Sequence, residues 1–193
     1  YYCIASSNGA SYLNVYDAEM SFLNHYWFQQ VNGYDLQLND MQFVDDGLVF
    51  AGQRNGQGVI LKTDFAFNVA WQSTPLYVVY NSGFYRIIHE DSGYTAINYD
   101  LIAKFDSEGD TLWTARTDPW VNTYYCISNH SNGMLFVLNR SLAIDSWTID
   151  TYNDLGQCTA SANTTLTSII NEGSRNMFVA DDGNIVIYMA SNQ

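Results

Sequence analysis

The 193-residue chain has few basic residues and no long apolar run. Seven Lys and Arg residues stand against 20 Asp and Glu, for a formal net charge of −13. Binding to phosphate backbones or anionic membranes needs clustered basic side chains, so neither nucleic acid nor a lipid surface is predicted as a partner. No apolar stretch approaches the roughly 18 residues of a membrane-spanning helix, so direct membrane insertion is not predicted. The chain shows no export signal, so any such signal is expected to have been removed or to lie outside it.

Cysteine is also scarce. Cys3, Cys126 and Cys158 form no C-x-x-C pair, so neither a zinc site nor a dense disulfide framework is indicated. Cys3 and Cys126 lie in apolar, strand-like runs, where cysteine behaves as a small hydrophobic residue. We therefore expect three buried, reduced thiols; one disulfide plus a free thiol is the alternative.

Signatures of catalysis are missing as well. The histidines His25, His89 and His130 lack metal-ligand spacing, and no nucleophile elbow or phosphate-binding glycine loop is present. The acidic run 106–110 favours a solvated turn over a calcium site. We predict no catalytic residues, no metal and no cofactor. Carboxylates from distant segments could still converge as in some propeller glycosidases, so enzymatic activity is left open, although nothing points to it.

Aromatic residues, in contrast, are abundant at 16%, and only two residues are proline, which favours strands over helices. Four segments combine an apolar run, an acidic or polar turn with glycine, and a second apolar run. Their glycines are spaced by 46, 40 and 50 residues: Gly47, Gly93, Gly133 and Gly183. Periods of this length indicate a repeat architecture.

Four short strands per repeat of about 45 residues are typical of a propeller blade. We predict an all-β fold with almost no helix: a β-propeller, or a propeller segment, of four-stranded blades. The blade intervals are approximately 1–46, 47–92, 93–132 and 133–182, with a further blade start at 183–193. They form a single domain that is either closed by its last strands or an excerpt of a longer chain.

A second motif recurs inside the repeats. In "KFDSEGDTLW", Lys104, Asp106, Gly109 and Trp113 are spaced as Lys-x-Asp-x-x-Gly-x-x-x-Trp. The second blade keeps three of these positions, with Phe67 in place of glycine: Lys62, Asp64 and Trp71. The first and fourth blades depart further, because Trp27 comes three residues late after Asp17 and Ala160 replaces the tryptophan.

This element resembles the repeated blades of secreted and cell-surface bacterial propeller proteins, especially those of Bacteroidetes that use type IX secretion. More distantly it is similar to the tryptophan-docking element of quinoprotein propellers, in which an Asp and a Trp lock adjacent blades. The resemblance implies a propeller fold and an extracellular or cell-surface location. A quinone cofactor is not expected, because the five arginines are scattered and offer no cationic central site.

The residues of the motif suit a structural role. Asp106 is expected to cap a turn, Gly109 to supply an unusual φ angle, and Trp113 to bury its ring between blades. Lys104 and Asp106 share a strand face, so a modest exposed ion pair between them is expected.

The predicted function is a non-enzymatic extracellular module for interaction or scaffolding in a larger surface or secreted assembly. Its partners would be other surface or secreted proteins, or glycans. The alternative is a carbohydrate-binding or carbohydrate-active propeller, either a lectin or a glycoside hydrolase. The candidate binding aromatics lie at or near repeat junctions: Tyr77, Trp120, Tyr124 and Tyr125.

Overall fold

The computed structural model describes residues 1–7, 10–28, 36–79, 83–129, 133–164, 175–180 and 184–189. These residues form seventeen strands and no α-helix, so the prediction of an all-β fold is confirmed. Within the same ranges, no helix has the length and hydrophobicity that crossing a membrane would require. His130 and Gly183 lie outside the described residues.

The strands form separate antiparallel sheets in chain order. The first sheet has three described strands: β1 (Tyr2–Ser7), β2 (Ala10–Tyr16) and β3 (Phe22–Phe28). The second sheet has four: β4 (Leu36–Val44), β5 (Gly47–Arg54), β6 (Gln57–Thr63) and β7 (Val69–Gln72). Consecutive strands pair with each other, so each sheet is a meander.

The remaining strands follow the same plan. The third sheet consists of β8 (Arg86–Glu90), β9 (Gly93–Ile97), β10 (Leu101–Phe105) and β11 (Thr111–Arg116). The fourth sheet consists of β12 (Asn122–Asn129), β13 (Leu135–Ser141), β14 (Ser146–Tyr152) and β15 (Cys158–Asn163). The fifth has two described strands, β16 (Arg175–Val179) and β17 (Ile185–Met189). The predicted four-stranded sheets are therefore present in three copies among the described residues.

The described repeat glycines lie at the turn between the first and second strands of their sheets. Gly47 follows β4 and opens β5, and Gly93 opens β9 after β8. A tight turn makes its two flanking strands pair as a hairpin, as β4 and β5 do. The first strand of a sheet therefore lies at the end of one predicted blade interval, and the other strands of that sheet lie in the next interval.

The contacts of the chain divide it into two compact units. The first unit comprises Tyr1–Ile87 with Glu108–Asp110, and the second comprises Ile88–Ser107 with Thr111–Gln193. In the first unit, one face of the first sheet packs on the second sheet. The buried residues of this core are Leu13, Phe28, Leu36, Leu38, Leu48, Phe50, Val59 and Leu61. In the second unit, the side chains of Cys126, Leu138 and Trp147 form a core with Met177 of β16.

A buried carboxylate ties β4 to the last residues of the first unit. The strand has a bulge between Leu38 and Asp40. An oxygen of the Asp40 carboxylate accepts a hydrogen bond of 3.0 Å from the backbone N–H of Ile87. The guanidinium of Arg86 lies 3.6 Å from the other oxygen. Burial raises the pKa of Asp40 above its ordinary value, against the opposing effects of these two partners.

We expect the Asp40→Asn substitution to change how stability depends on pH. With a raised pKa, folded Asp40 holds its proton at pH values where the unfolded chain has lost it, so its contribution to stability falls as pH rises through that window. The free energy of unfolding of the variant, relative to that of the wild-type protein, should therefore be higher at neutral pH than at the ordinary carboxyl pKa of 3.8. Urea unfolding of both proteins at the two pH values would measure this. An unchanged difference would contradict the prediction.

Candidate functional site

The spacing of the Lys-x-Asp motif follows from the pairing of two strands. Lys62 lies directly opposite Trp71, and Lys104 lies directly opposite Trp113. In both hairpins the register shifts immediately after the lysine, at a β-bulge. The aspartate two residues beyond the lysine then begins the turn that leads back to the tryptophan. Strand register and turn length thus fix the recurring distances.

The aspartate of the motif organises this turn through its side chain. Oδ1 of Asp64 accepts hydrogen bonds of 2.9 Å from the backbone N–H groups of Ala66 and Asn68. The amide side chain of Asn68 donates a further bond to Oδ2, and it is the leading cause of the lowered pKa of Asp64. Side chains of this kind replace missing backbone partners in tight turns.

The same turn recurs in the first and fourth sheets. Asp17 accepts bonds from the N–H groups two and four residues further on, and Asn153 does the same. Asn153 is thus a functional substitute for the aspartate, because the turn needs an oxygen acceptor and not a charge.

The residue three positions after the aspartate or asparagine has a left-handed backbone in all four turns. The φ angles are 63° at Met20, 64° at Phe67, 86° at Gly109 and 73° at Gly156. Glycine adopts this conformation without steric cost, whereas Met20 and Phe67 are held there with strain. The turn geometry is therefore kept even where glycine has been replaced.

A tryptophan covers each of the two glycines. A Cβ atom added to Gly109 would lie 2.6 Å from the ring of Trp71, and one added to Gly156 would lie 2.6 Å from the ring of Trp113. The indole N–H of Trp113 donates a 2.8 Å hydrogen bond to the backbone carbonyl of Asp154 in the same turn. Each ring thus packs on the turn of the next sheet along the chain.

The first sheet achieves the same contact with a different residue. The ring of Tyr26 packs on that of Phe67, with 3.9 Å between the ring centroids. The late-placed Trp27 is not the residue that docks, because neighbouring strand residues point to opposite faces of a sheet. A ring contact therefore replaces the ring-on-glycine contact where the second sheet carries Phe67.

The motif lysines bind acidic groups near the first turn of their own sheets. The Lys104 side chain is buried and pairs with the buried carboxylate of Glu90, which also accepts a 2.5 Å hydrogen bond from the hydroxyl of Thr95. Lys62 forms a 2.9 Å ion pair with the exposed carboxylate of Asp46, and this pairing lowers the pKa of Asp46. The expected exposed pair between Lys104 and Asp106 is wrong, because Lys104 points into the sheet packing and not into solvent.

The four candidate binding aromatics have different surroundings. Tyr77 and Trp120 are largely exposed. Tyr124 is buried, its hydroxyl lies 3.3 Å from that of Tyr152, and burial raises its pKa. Tyr125 is half-buried and packs on the ring of Trp147. Tyr77 and Trp120 therefore remain candidates, whereas Tyr124 is not available to a ligand.

An exposed apolar surface surrounds Trp120 in the second unit. We call it the Trp120 patch; it consists of Trp120, Val121, Leu142 and Ile144. The backbone N–H of Leu142 donates a 2.8 Å hydrogen bond to the carbonyl of Val121, which brings the two turns together. Three of its four residues were not predicted. For Leu142 and Ile144 the signal in the sequence is "SLAID", residues 141–145, an apolar segment in a turn, where polar residues are usual.

Both turns of the Trp120 patch are fixed by hydrogen bonds. The carboxylate of Asp118 accepts a bond from the N–H of Trp120, and its backbone carbonyl accepts bonds from Val121 and Asn122. In the other turn, Arg140 donates two bonds to one oxygen of Asp145. The charged groups beside the patch are thus engaged within the protein, while its apolar side chains face solvent.

The second unit also has a polar cleft of about 370 Å³. It is lined by His89, Glu90, Asp91, Ser92, Asn129, Gly133 and Asp154. Three of these residues carry carboxylates, and no tryptophan or tyrosine is among the described residues that line the cleft. Among the described residues, no three His, Cys, Asp or Glu side chains are grouped so that they could hold a metal ion.

The three cysteines are thiols and not disulfides. Cys126 is buried, as predicted, but Cys3 and Cys158 are exposed. The expectation of three buried thiols is therefore wrong for two of them. Cys3 lies in a strand whose Tyr2 and Ile4 side chains face the core, so that its own side chain points to the opposite face. Partial burial raises the pKa of the Cys158 thiol.

We expect Gly156→Ala to lower the free energy of unfolding by about 2 kcal/mol or more, because the new methyl group would overlap the Trp113 ring at a left-handed backbone position. The matched control is Gly133→Ala. Gly133 also has a positive φ, but its added Cβ would approach only the Asp154 carboxylate, at 3.4 Å. The control substitution should lower the free energy of unfolding by about 1 kcal/mol. Urea unfolding would separate the two, and equal losses would show that the ring contact contributes nothing.

We expect Lys104→Met to lower the free energy of unfolding by about 3 kcal/mol, because it leaves the buried Glu90 carboxylate without its countercharge. Adding Glu90→Gln should restore part of the loss. Lys62→Met removes the equivalent lysine from an exposed pair and should lower the free energy of unfolding much less. Thermal or urea unfolding would measure all three variants. Similar losses for the two lysines would contradict the assignment of a buried pair.

No protein-family model matches this sequence, and no curated protein matches it. The residues and their contacts are therefore the basis for inferring its function.

Proposed function

We propose that this chain is a non-enzymatic interaction module of a larger surface or secreted assembly, built as a β-propeller or a segment of one. The propeller arrangement is supported by the repeated meander sheets and by the aromatic ring that packs from one sheet onto the turn of the next. An extracellular setting is supported by the resemblance of the Lys-x-Asp blades to those of exported bacterial proteins. The main support for the interaction role is the exposed apolar surface of the Trp120 patch.

The composition of the Trp120 patch suits a protein partner. Trp120 is 73% exposed and Ile144 is 76% exposed, and both stand on turns fixed by hydrogen bonds. Contiguous apolar surface on a soluble protein marks interaction sites, and tryptophan is enriched among binding hot spots. Because the turns are already ordered, little conformational entropy would be lost on binding.

A glycan is a weaker fit to the same surface. Saccharides are bound by aromatic faces together with hydrogen-bonding groups that meet the sugar hydroxyls. Beside the patch, one oxygen of Asp118 already accepts a bond from the N–H of Trp120, and one oxygen of Asp145 already accepts two bonds from Arg140. The remaining side chains, Val121, Leu142 and Ile144, offer only apolar contact.

The polar cleft favours carbohydrate binding as the second candidate function. Its carboxylates, Ser92 and Asn129 provide donors and acceptors in one depression. It lacks the aromatic platform that would let a sugar ring stack. This candidate would gain support if a glycan array detected binding that Asp154→Asn weakens and that Ile144→Asp leaves intact.

We expect the Ile144→Asp substitution to abolish partner binding, because it places a charged carboxylate in the apolar patch. In a complex that carboxylate would lose its water and gain no partner. The measurement is affinity purification from the organism's own cells under mild conditions, with mass spectrometry of the proteins retained. The wild-type protein should retain a stoichiometric set of surface or secreted proteins, and the variant should lose it.

Leu155→Asp is the matched control. Leu155 is 74% exposed, also lies in a turn, and stands outside the Trp120 patch. It should retain the same proteins as the wild type. A set of partners that survives Ile144→Asp, or one that both substitutions remove equally, would contradict the proposed role of the patch.

A further inference from the structure

The charged groups of this chain are unevenly matched. The five ion pairs found among the described residues use five of the seven lysine and arginine side chains. Each of these pairs is neutral, so the net charge of −13 is carried by carboxylates outside them. The protein thus offers a partner negative charge, while most of its positive charge is bound within the chain.

Two carboxylates belong to the turns of the Trp120 patch. Asp118 lies in one turn and Asp145 in the other, and both are exposed. The turns meet where the N–H of Leu142 bonds to the carbonyl of Val121. Each carboxylate lies three residues from this contact along its own turn. Acidic residues therefore flank the apolar surface of the patch in both of its turns.

Both carboxylates can accept further hydrogen bonds. One oxygen of Asp118 accepts the N–H of Trp120. Both bonds from Arg140 to Asp145 end on one oxygen, and the Asp145 side chain is 47% exposed. Among the described residues, the second oxygen of each aspartate accepts no hydrogen bond. Since a carboxylate offers about four acceptor positions, each can bind an incoming ammonium or guanidinium group without losing the bonds to its own turn.

The positive charges near the patch already have partners. Arg140 is bound to Asp145, and its side chain is only 25% exposed. Arg116, which precedes the turn of Asp118, donates a 2.7 Å hydrogen bond to the buried carboxylate of Asp100. These five groups sum to one negative charge, and Asp118 carries it because it has no ion pair among the described residues.

This charge distribution limits which proteins can bind the patch. Opposite charges across an interface favour association, and like charges placed opposite each other disfavour it. The carboxylates beside the patch matter most, because salt screens charges beyond about 8 Å at physiological ionic strength. A second copy of the chain would bring the same carboxylates and the same negative net charge. A partner with positive charge at its contact surface is favoured instead, and its association would be accelerated.

We propose that the protein that binds the Trp120 patch presents an apolar centre with lysine or arginine side chains beside it, and that these side chains contact the carboxylates of Asp118 and Asp145. This inference rests on the proposed function, because it names the chemistry of the partner for the same patch. The apolar centre would supply most of the affinity, whereas the charges would set the choice of partner and the rate of association.

A phage library of random peptides is the probe for this test. It would be selected on the wild-type 193-residue chain after removal of the peptides that bind the Ile144→Asn variant. That substitution removes an apolar side chain of the patch and leaves the net charge unchanged. The peptides that remain therefore require the patch. They should combine aromatic or aliphatic residues with lysine or arginine, in excess over the unselected library.

A double variant, Asp118→Asn with Asp145→Asn, removes the two charges and keeps the turns. Asparagine retains the side-chain oxygen that accepts the N–H of Trp120, and it tolerates the left-handed φ of 47° at position 145. Surface plasmon resonance at low salt should show severalfold slower association of the selected peptides and little change in their dissociation. Added salt should bring the association rate of the wild-type protein towards that of the variant.

Asp45→Asn combined with Asp91→Asn is the matched control. Both residues are exposed, and both lie in turns outside the Trp120 patch. The control removes the same number of charges from the chain, so it should slow association much less than the double variant does. Equal slowing by the two double variants would show that only the net charge matters, and it would contradict a contact with Asp118 and Asp145.

The other outcomes separate this inference from the proposed function. Peptides that need Ile144 but carry no excess of lysine or arginine would overturn the inference and leave the proposed function in place. A selection without any peptide that needs Ile144 would also overturn it, while the affinity purification tests the proposed function separately. A dimer that Ile144→Asn converts to a monomer, measured by light scattering, would identify a second copy of the chain as the occupant and overturn the inference.

Discussion

The packing of an aromatic ring on a left-handed turn is the contact on which the rest of this structure depends. A sheet of four short strands has two apolar faces and cannot bury both by itself. Trp113 joins its sheet to the next by covering Gly156 and donating its indole N–H to the carbonyl of Asp154. The turn must be tight to present that carbonyl, which is why a positive φ occurs in all four turns and a side-chain oxygen accepts backbone N–H groups in the turns of Asp17, Asp64 and Asn153.

This constraint separates the residues that maintain the fold from those left for binding. Lys104, buried beside Glu90, and Trp71, which packs on Gly109, are committed to packing. Trp120 and Ile144 make no comparable contribution to a core and project from turns that hydrogen bonds already hold. An exposed apolar surface on ordered turns is what an interaction module requires, and the proposed function follows from this contrast.

The Trp120 patch differs in kind from the sheet faces that pack on one another. It lies on connecting turns, at the start of β12 and the end of β13. Its side chains are therefore not needed to pair strands, and such a surface suits contact with a different protein.

The sequence by itself determined the strands, the turns and the recurring motif, because alternation, glycine position and the Lys-x-Asp spacing are local properties of the chain. It also indicated a packing role for Trp71 and Trp113. Only the tertiary structure decided which partners the side chains meet: Lys104 with Glu90 and not Asp106, and Tyr26 in place of Trp27 on Phe67. Burial of Tyr124 and exposure of Cys3 were likewise undecided, because strand alternation gives two faces without saying which of them another sheet will cover.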